Sequence, residues 1–328
     1  MSKVLILTDG KAGHENQSRA FARALGCEPA LLPVRFRSPP AKSLSYLLDF
    51  FGILTLKVFK DLKGLEGLKG LTGLKAVVGA GSGTFYAAKA LARKLGVPCG
   101  VVLYPRGYRL AGFDCILAPS FDRPDIAPNV VPVPANLVAA DAAFYEAGVK
   151  AFRERHTPSG RPAVAVIVGG PNKRATLSAD WMRAQLERIF AKYKPAEPNA
   201  SPPRQAPGAR HELWVTTSRR TPPDVEAVVD SFPFDYKLLY SRDRFNPIPA
   251  FVSLASAIYV TAESTGMISE ACTFGAAEVH ALDNLKPGPH KFRRFIDGLA
   301  AAGHLGGSRK IDLSGQFARA RELLGLTG

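Results

Sequence analysis

The residue types with the clearest chemistry lie at 260–271, in the order Val-Thr-Ala-Glu-Ser-Thr-Gly-Met-Ile-Ser-Glu-Ala. A β-branched apolar run ending at Val260 predicts a buried strand, which a small polar turn and the start of a helix follow. Such a turn directs backbone N–H groups, hydroxyls and a helix N-terminus at one spot, which suits a phosphate or diphosphate. Glu270 comes about one turn into the predicted helix, where its carboxylate could hold ribose hydroxyls. The alternative is an ordinary capped helix.

A second turn of this kind follows the first predicted strand. Its glycines, Gly10 and Gly13, would allow a tight turn and a close backbone approach to a ligand. His14 would lie at the start of the next helix and at the carboxyl end of a parallel strand, where open sheets bind ligands. Histidine titrates near neutrality, which makes His14 a candidate general base that Asp9 or Glu15 could orient. The alternative is a helix-capping turn with an exposed histidine.

This turn is neither the dinucleotide fingerprint nor a Walker loop, because Lys11 precedes the second glycine and no Gly-Lys-Ser/Thr follows. The pattern therefore argues against a dehydrogenase and a P-loop NTPase. Further turns of the first half could line a cleft for an acceptor, or could be tight packing and exposed arginines. The acceptor-side candidates are Gly10, Gly13, Asn16, Gln17, Gly81, Ser82 and Arg106.

Three predicted strand ends in the second half bring basic and hydroxyl-bearing turns together. The turns at 169–174 and 216–221 offer backbone N–H groups, hydroxyls, lysine and arginine, and the turn at 261–266 is the third. Because the carboxyl ends of parallel strands meet at one edge of a sheet, we expect a phosphate site there. Residues 240–246 could cover a nucleobase. No Asp-x-Asp spacing of metal-dependent sugar transferases occurs, so no metal site is predicted.

Strand and helix patterns alternate along both halves of the chain. Strands are predicted at 4–7, 76–80, 101–104, 114–118, 130–133, 163–168, 212–215, 237–240 and 257–260, and helices at 16–25, 85–95, 179–193, 223–231 and 248–255. The alternation indicates βαβ units and two parallel sheets joined around residues 136–160. We expect an N-terminal domain at 1–140, a C-terminal domain at 160–300, and a helix at 301–328 that could pack back on the first domain.

One apolar segment, residues 43–60, fits no βα pattern and has lysines at its borders. It leads into a three-residue Leu/Gly repeat at 62–74, whose period does not match a helix and whose glycines weaken one. We interpret the segment at 43–74 as an amphipathic flap that contacts a membrane or lipid substrate. The alternative is a helix packed on the sheet followed by a low-complexity loop. The Pro-rich stretch at 195–210 predicts a surface loop.

The amino-acid composition indicates which kinds of binding partner to expect. The 328 residues include 43 Lys and Arg against 28 Asp and Glu, a net charge of +15, which attracts phosphates. No zinc-finger spacing or aromatic-rich RNA-binding strand occurs, so nucleic acid is not an expected partner, whereas an anionic membrane surface is. Without a membrane-spanning run or a signal-peptide core, we expect a cytoplasmic protein peripheral to the inner membrane. The scattered cysteines, Cys27, Cys99, Cys115 and Cys272, predict buried thiols.

Four segments, at 8–17, 169–171, 216–222 and 261–271, together resemble the bacterial relatives of the plant mitochondrial-fission ELM-type proteins, including GtrOC-like glycosyltransferases. The layout is similar to GT-B glycosyltransferases, and the turn with His14 is similar to that of the MurG-type transferases. The resemblance implies an α/β fold of two Rossmann-like parallel-sheet domains facing a central cleft. It also implies a donor nucleotide sugar in the C-terminal domain and an acceptor in the N-terminal one.

Site roles follow from this resemblance. His14 or Asp9 would deprotonate the acceptor hydroxyl. The residues expected to bind the nucleotide are Gly169, Gly170, Lys173, Thr217, Ser218, Arg219, Glu263, Ser264, Thr265, Gly266, Met267 and Glu270. We therefore predict a glycosyltransferase that uses a nucleoside-diphosphate sugar, with UDP favoured, and no tightly bound cofactor. Its acceptor would be an envelope lipid or saccharide. The alternatives are a membrane-associated scaffold and a non-hydrolysing UDP-sugar epimerase.

Overall fold

The computed structural model describes residues 2–60, 73–139, 141–194 and 211–326. Two compact units divide the chain, the first joining residues up to 139 with those from 312 onward, and the second holding 140–311. The first contains a six-stranded parallel sheet and the second a five-stranded one. The predicted fold class, α/β with two Rossmann-like parallel-sheet domains, is confirmed.

The strands are β1 (Lys3–Thr8), β2 (Glu28–Pro33), β3 (Arg35–Phe36), β4 (Phe59–Lys60), β5 (Leu74–Ala80), β6 (Cys99–Val102), β7 (Cys115–Pro119), β8 (Val130–Val133), β9 (Ala163–Ile167), β10 (Glu212–Thr216), β11 (Tyr236–Leu238), β12 (Ala255–Thr261) and β13 (Glu278–Leu282). The helices are α1 (Ala12–Ala24), α2 (Pro39–Phe50), α3 (Phe85–Leu95), α4 (Ala142–Arg153), α5 (Ala179–Tyr193), α6 (Pro223–Ser231), α7 (Ile248–Leu254), α8 (Thr265–Thr273), α9 (Lys291–Ala301) and α10 (Ser314–Leu323).

In the first unit the strand order is β2-β1-β5-β6-β7-β8, and all neighbouring pairs are parallel. The central strands are apolar on both faces, as in Val4, Leu5 and Ile6, because helices cover a parallel sheet from both sides. Helix α10 returns to this unit and packs on β7 and β8. The ends of β1 and β5 therefore lie side by side, and the turns that follow them are neighbours.

In the second unit the order is β11-β10-β9-β12-β13, again parallel. Helices α5 and α6 share one core with the sheet, while α4 packs against α7. Phe152, Trp214 and Phe251 form an aromatic cluster with ring centroids 5.1–5.9 Å apart. Because β9 is central, the turns after β10 and β12 flank the turn after β9.

The structure corrects several sequence-based assignments. Strands β2 and β13 and helix α4 were not predicted, and α4 lies within the stretch at 136–160 that was interpreted as the join between the two domains. Helix α1 begins at Ala12, four residues earlier than predicted, so His14 is in its first turn. Strand β6 ends at Val102, short of the predicted 104. The four cysteines are buried and unpaired, as predicted.

The segment at 43–60 contains most of helix α2. Ser38 caps the helix by accepting a hydrogen bond from the N–H of Ala41 at 3.3 Å, and two prolines occupy its first positions. The chain then turns and forms β4, which pairs antiparallel with β3. The first part of the segment, up to Phe50, is therefore a regular helix packed against α3. The repeat at 62–74 lies outside the described residues except for its last two, and the Pro-rich stretch at 195–210 lies outside them entirely.

Candidate functional site

The end of β1 and the start of α1 bring Asp9 and His14 together. The Nδ1 atom of His14 lies 3.1 and 3.2 Å from the two carboxylate oxygens of Asp9. Burial raises the pKa of Asp9, but His14 and Lys11 outweigh it and hold that pKa below its ordinary value. A carboxylate can only accept, so Nδ1 donates and Nε2 carries the lone pair that could take a proton. Glu15, the other predicted partner, instead accepts from Thr8 and Arg19.

The turn after β5 packs directly on this pair. Gly81 has φ +81°, and a Cβ atom there would overlap the imidazole of His14. A Cβ atom at Gly83 would lie 2.7 Å from Asp9. Only glycine permits both approaches, since a side chain at either position would displace the pair. The predicted residues Gly81 and Ser82 thus adjoin His14.

Lys42 is a member of this site that the sequence did not reveal. Its Nζ atom donates to Oγ of Ser82 at 2.8 Å, although 40 positions separate the two residues. The sequence marked Lys42 only as a border of the apolar segment. The structure instead brings its ammonium group to the turn that packs on His14.

Other acceptor-side candidates have different surroundings. The amide of Gln17 bonds the backbone of Leu137 twice, at 3.0 and 2.9 Å, and so fixes that segment. Gly10 makes the turn, with φ +82°, but Gly13 lies inside α1 with open space beside it, so no close approach requires it. Asn16 is exposed on α1. Arg106 donates to the backbone carbonyl of Asp122 in an exposed loop and borders a cavity of about 300 Å³.

In the second unit, a buried carboxylate joins three turns. Glu263 is 4% exposed, and its Oε1 accepts from the N–H of Gly170 at 2.8 Å and from the hydroxyls of Thr261 and Ser264 at 3.1 and 3.2 Å. Its Oε2 accepts from Asn284 Nδ2 at 2.7 Å. Glu263 therefore points inward and holds the turns after β9, β12 and β13 together. Asn284 follows β13, a strand that the sequence did not reveal, so no local signal marked it.

The predicted phosphate donors Gly169 and Gly170 are also used inside the unit. The N–H of Gly169 donates to Oγ1 of Thr261 at 2.8 Å, and that of Gly170 to Glu263. A Cβ atom at either glycine would overlap neighbouring turns, at Glu263 or at the carbonyl of Arg220. The glycines thus serve close packing, and their N–H groups already donate to acceptors within the unit.

The turn after β10 is similarly tied down. Oγ1 of Thr217 donates to Glu226 and accepts from the N–H of Tyr240 at 2.8 Å, so this buried hydroxyl is structural. The N–H of Ser218 donates to Oγ1 of Thr221 at 2.8 Å. The exposed Arg219 borders a cavity of 290 Å³ with Ser218 and Tyr240. Lys173 is exposed on the turn after β9.

The start of α8 is open to solvent at Gly266. The helix begins at Thr265, with Ser264 before it, and Gly266 is exposed with no atom near its Cβ position. First-turn N–H groups have no acceptor within their own helix and carry partial positive charge. Met267 lies half-buried in the same turn. This geometry suits a phosphate oxygen.

Glu270 lies further along α8, where its Oε1 accepts from the hydroxyl of Tyr145 at 3.1 Å. Burial raises the pKa of Glu270, and the hydrogen bond from Tyr145 lowers it less. The ribose role of Glu270 stays a prediction.

A family model described as mitochondrial fission ELM1 matches residues 12–307. The chain belongs to this family. No curated protein matches it. Among solved structures, this ELM1-family protein is similar to the UDP-GlcNAc 2-epimerase from Neisseria meningitidis bound to UDP-GlcNAc, at 12% identity and a TM-score of 0.51, over 99% of each chain.

The UDP-GlcNAc 2-epimerase from Methanocaldococcus jannaschii is similar at 13% identity and a TM-score of 0.50, over 99% of this chain and 92% of that one. At such identities the likeness concerns the fold, which is GT-B-like. In the described part of the ELM1-family chain, no group of three or more His, Cys, Asp or Glu could hold a metal ion. No helix in the same ranges is long and apolar enough to cross a bilayer.

Proposed function

We propose that this ELM1-family protein is a glycosyltransferase that uses a nucleoside-diphosphate sugar, with UDP favoured. The observation that carries the proposal is the Asp9–His14 pair at the carboxyl end of β1. Nε2 of His14 would take the proton of an acceptor hydroxyl. The oxygen then bonds the anomeric carbon as the bond to the nucleoside diphosphate breaks, and the diphosphate leaves with the electron pair.

The second unit would bind the donor. The N–H groups at the start of α8, at Gly266 and Met267, would stabilise the charge that develops on the diphosphate, helped by Arg219 and Lys173. Glu270 would accept hydrogen bonds from the ribose. No tightly bound cofactor or metal takes part in this scheme.

The first unit would bind the acceptor, an envelope lipid or saccharide, at the cytoplasmic face of the inner membrane. Its support is a set of exposed large apolar side chains in and after α2, on a chain with a net charge of +15. Apolar contact and attraction to anionic lipids together favour binding at a membrane surface.

An epimerase is the second candidate, because both solved structures described above carry that name. Such an enzyme would convert the nucleotide sugar without an acceptor. A scaffold, the third reading, would bind no nucleotide. Product analysis after incubation with UDP-GlcNAc alone separates the first two, since the transferase would leave the sugar's configuration unchanged.

Calorimetric titration with UDP, GDP, ADP and CMP tests the donor site. We expect one nucleotide to bind, Glu270→Ala to weaken it, and Tyr145→Phe to leave it unchanged. Tyr145→Phe is the matched control because it removes the hydrogen bond to Glu270 and keeps the carboxylate. Equal losses in both variants would mean that the pair is structural, and no binding by any nucleotide would favour the scaffold.

A further inference from the structure

Helix α2 exposes large apolar side chains that an ordinary surface helix would turn toward the core. Its outward side chains, and those of the turn after it, include large apolar residues that are 46–69% exposed. These residues form what we call the α2 apolar surface: Leu44, Leu47, Phe50, Phe51 and Ile53. A soluble helix normally turns such a stripe toward the core, and a contiguous exposed cluster marks a binding surface.

Buried polar contacts fix the inward face of α2, where Tyr46 and Leu48 also pack against the core. Oγ of Ser45 lies 2.9 Å from the hydroxyl of Tyr108, and both residues are buried. Asp49 pairs with Lys89 at 2.7 Å, with the side chains 3% and 2% exposed, and also accepts from the N–H of Arg109 at 2.7 Å. Breaking such a buried pair is costly, so α2 cannot easily roll its apolar side chains inward. The helix is fixed with these side chains outward.

The chain segment that carries the α2 apolar surface is rich in basic residues. Between residues 35 and 60 the sequence has five basic residues, Arg35, Arg37, Lys42, Lys57 and Lys60, and Asp49 is its one acidic residue. Because Asp49 is buried against Lys89, the negative charge does not reach solvent. A ligand that matches this surface in polarity and charge would be apolar with an anionic end.

Lys42 connects this surface to the Asp9–His14 pair. It precedes Leu44 on α2, and its ammonium group donates to Ser82 at 2.8 Å. Ser82 follows Gly81, whose backbone touches the imidazole of His14. An anion on Lys42 would therefore lie beside the proposed base, with its apolar part continuing along α2.

We propose that the acceptor is a lipid with a phosphate-bearing head group, whose phosphate binds Lys42 and whose chains lie on the α2 apolar surface. This inference rests on the proposed function and narrows its acceptor from lipid or saccharide to an anionic lipid. The lipid supplies both the charge and the apolar area, whereas a free phosphate ester would use Lys42 alone.

The test measures binding of the full chain to vesicles of phosphatidylcholine alone and of an equal mixture with phosphatidylglycerol. We expect binding to the mixture only. Lys57→Gln, which removes an exposed lysine of the same chain segment, should weaken binding about fivefold through the loss of diffuse electrostatic attraction. Lys42→Gln should weaken it about tenfold more, because a hydrogen bond to a charged group is also lost. Phe50→Ser should lower it at least about tenfold, and Ile126→Ser, at an exposed site elsewhere, should not.

Equal losses for Lys42→Gln and Lys57→Gln would overturn the phosphate position. Glycerol 3-phosphate that binds as tightly as the vesicles, with Phe50→Ser unchanged, would overturn the lipid and identify a soluble phosphate ester. UDP titration of each variant keeps the two proposals apart. A wild-type chain that fails to bind any nucleotide contradicts the proposed function, whereas retained UDP binding with unchanged vesicle binding in every variant contradicts this inference alone.

Discussion

Removing the carboxylate of Glu263 should destabilise the second unit strongly. Four donors bond it: the N–H of Gly170, the hydroxyls of Thr261 and Ser264, and the amide of Asn284, at 2.7–3.2 Å. A buried donor left without a partner costs about 1–3 kcal/mol, and water entering the space recovers part of this. We therefore expect Glu263→Ala to lower the free energy of unfolding by about 3–5 kcal/mol.

Glu263→Gln should cost much less, for a specific geometric reason. The new amide would place an N–H₂ group opposite the N–H₂ of Asn284. Oδ1 of Asn284 has no hydrogen-bond partner within the described residues, so its amide can flip and accept from the glutamine. Only the charge assistance is lost, which corresponds to about 1–2 kcal/mol.

Tryptophan fluorescence during denaturant unfolding isolates this unit, because both tryptophans of the chain, Trp181 and Trp214, lie in it. Glu187→Ala, at an exposed carboxylate of α5, is the control and should change stability by less than about 0.5 kcal/mol. If Glu263→Ala behaved like this control, the carboxylate would not hold the turns together. If Glu263→Gln were as harmful as Glu263→Ala, the flip of Asn284 would be refuted.

Three further predictions concern the first unit. Gly81→Ala should abolish transfer and spare UDP binding, because the new Cβ would overlap the imidazole of His14. Gly13→Ala, in an open helical position, should keep activity and raise the free energy of unfolding by up to about 1 kcal/mol. Equal activity of the two variants in an acceptor assay would disprove the steric argument. Burial raises the pKa of Asp9, but the neighbouring imidazole and ammonium groups more than offset this and leave the pKa below its ordinary value. The ionised carboxylate of Asp9 therefore contributes its full stabilisation to the folded state above the ordinary aspartate pKa. The difference in free energy of unfolding between the wild-type chain and Asp9→Asn should thus persist at pH 3.8 and disappear only in stronger acid. No difference at neutral pH would contradict this prediction. Lys89→Met should cost about 3–5 kcal/mol in calorimetry by leaving Asp49 buried without its partner, and a neutral result would remove the proposed anchor of α2.

The sequence predicted the bounds of helices well where the signals lie within the helix or next to it. The bounds of α3, α5 and α6 match the prediction, because apolar periodicity, prolines and the cap at Ser178 all act within a few residues. Strand β2 was missed because it begins and ends near prolines and has exposed positions, so its extended form comes from pairing with β1. Strand β13 mixes polar and apolar residues and depends on β12 in the same way.

In the candidate site, too, contacts between residues close in sequence could be predicted, whereas contacts between distant residues could not. Asp9 and His14 are five positions apart across one strand-to-helix turn, so their pairing could be predicted from the sequence. The contact between Lys42 and Ser82 spans 40 positions, and that between Glu263 and Asn284 spans 21 across an unpredicted strand. The sequence also predicted that the N–H groups of Gly169 and Gly170 bind a ligand. It could not reveal that Thr261 and Glu263, distant along the chain, accept hydrogen bonds from these groups. The sequence by itself determined which turns carry polar groups, whereas the tertiary structure decided which of those groups are used internally, since that depends on partners distant along the chain.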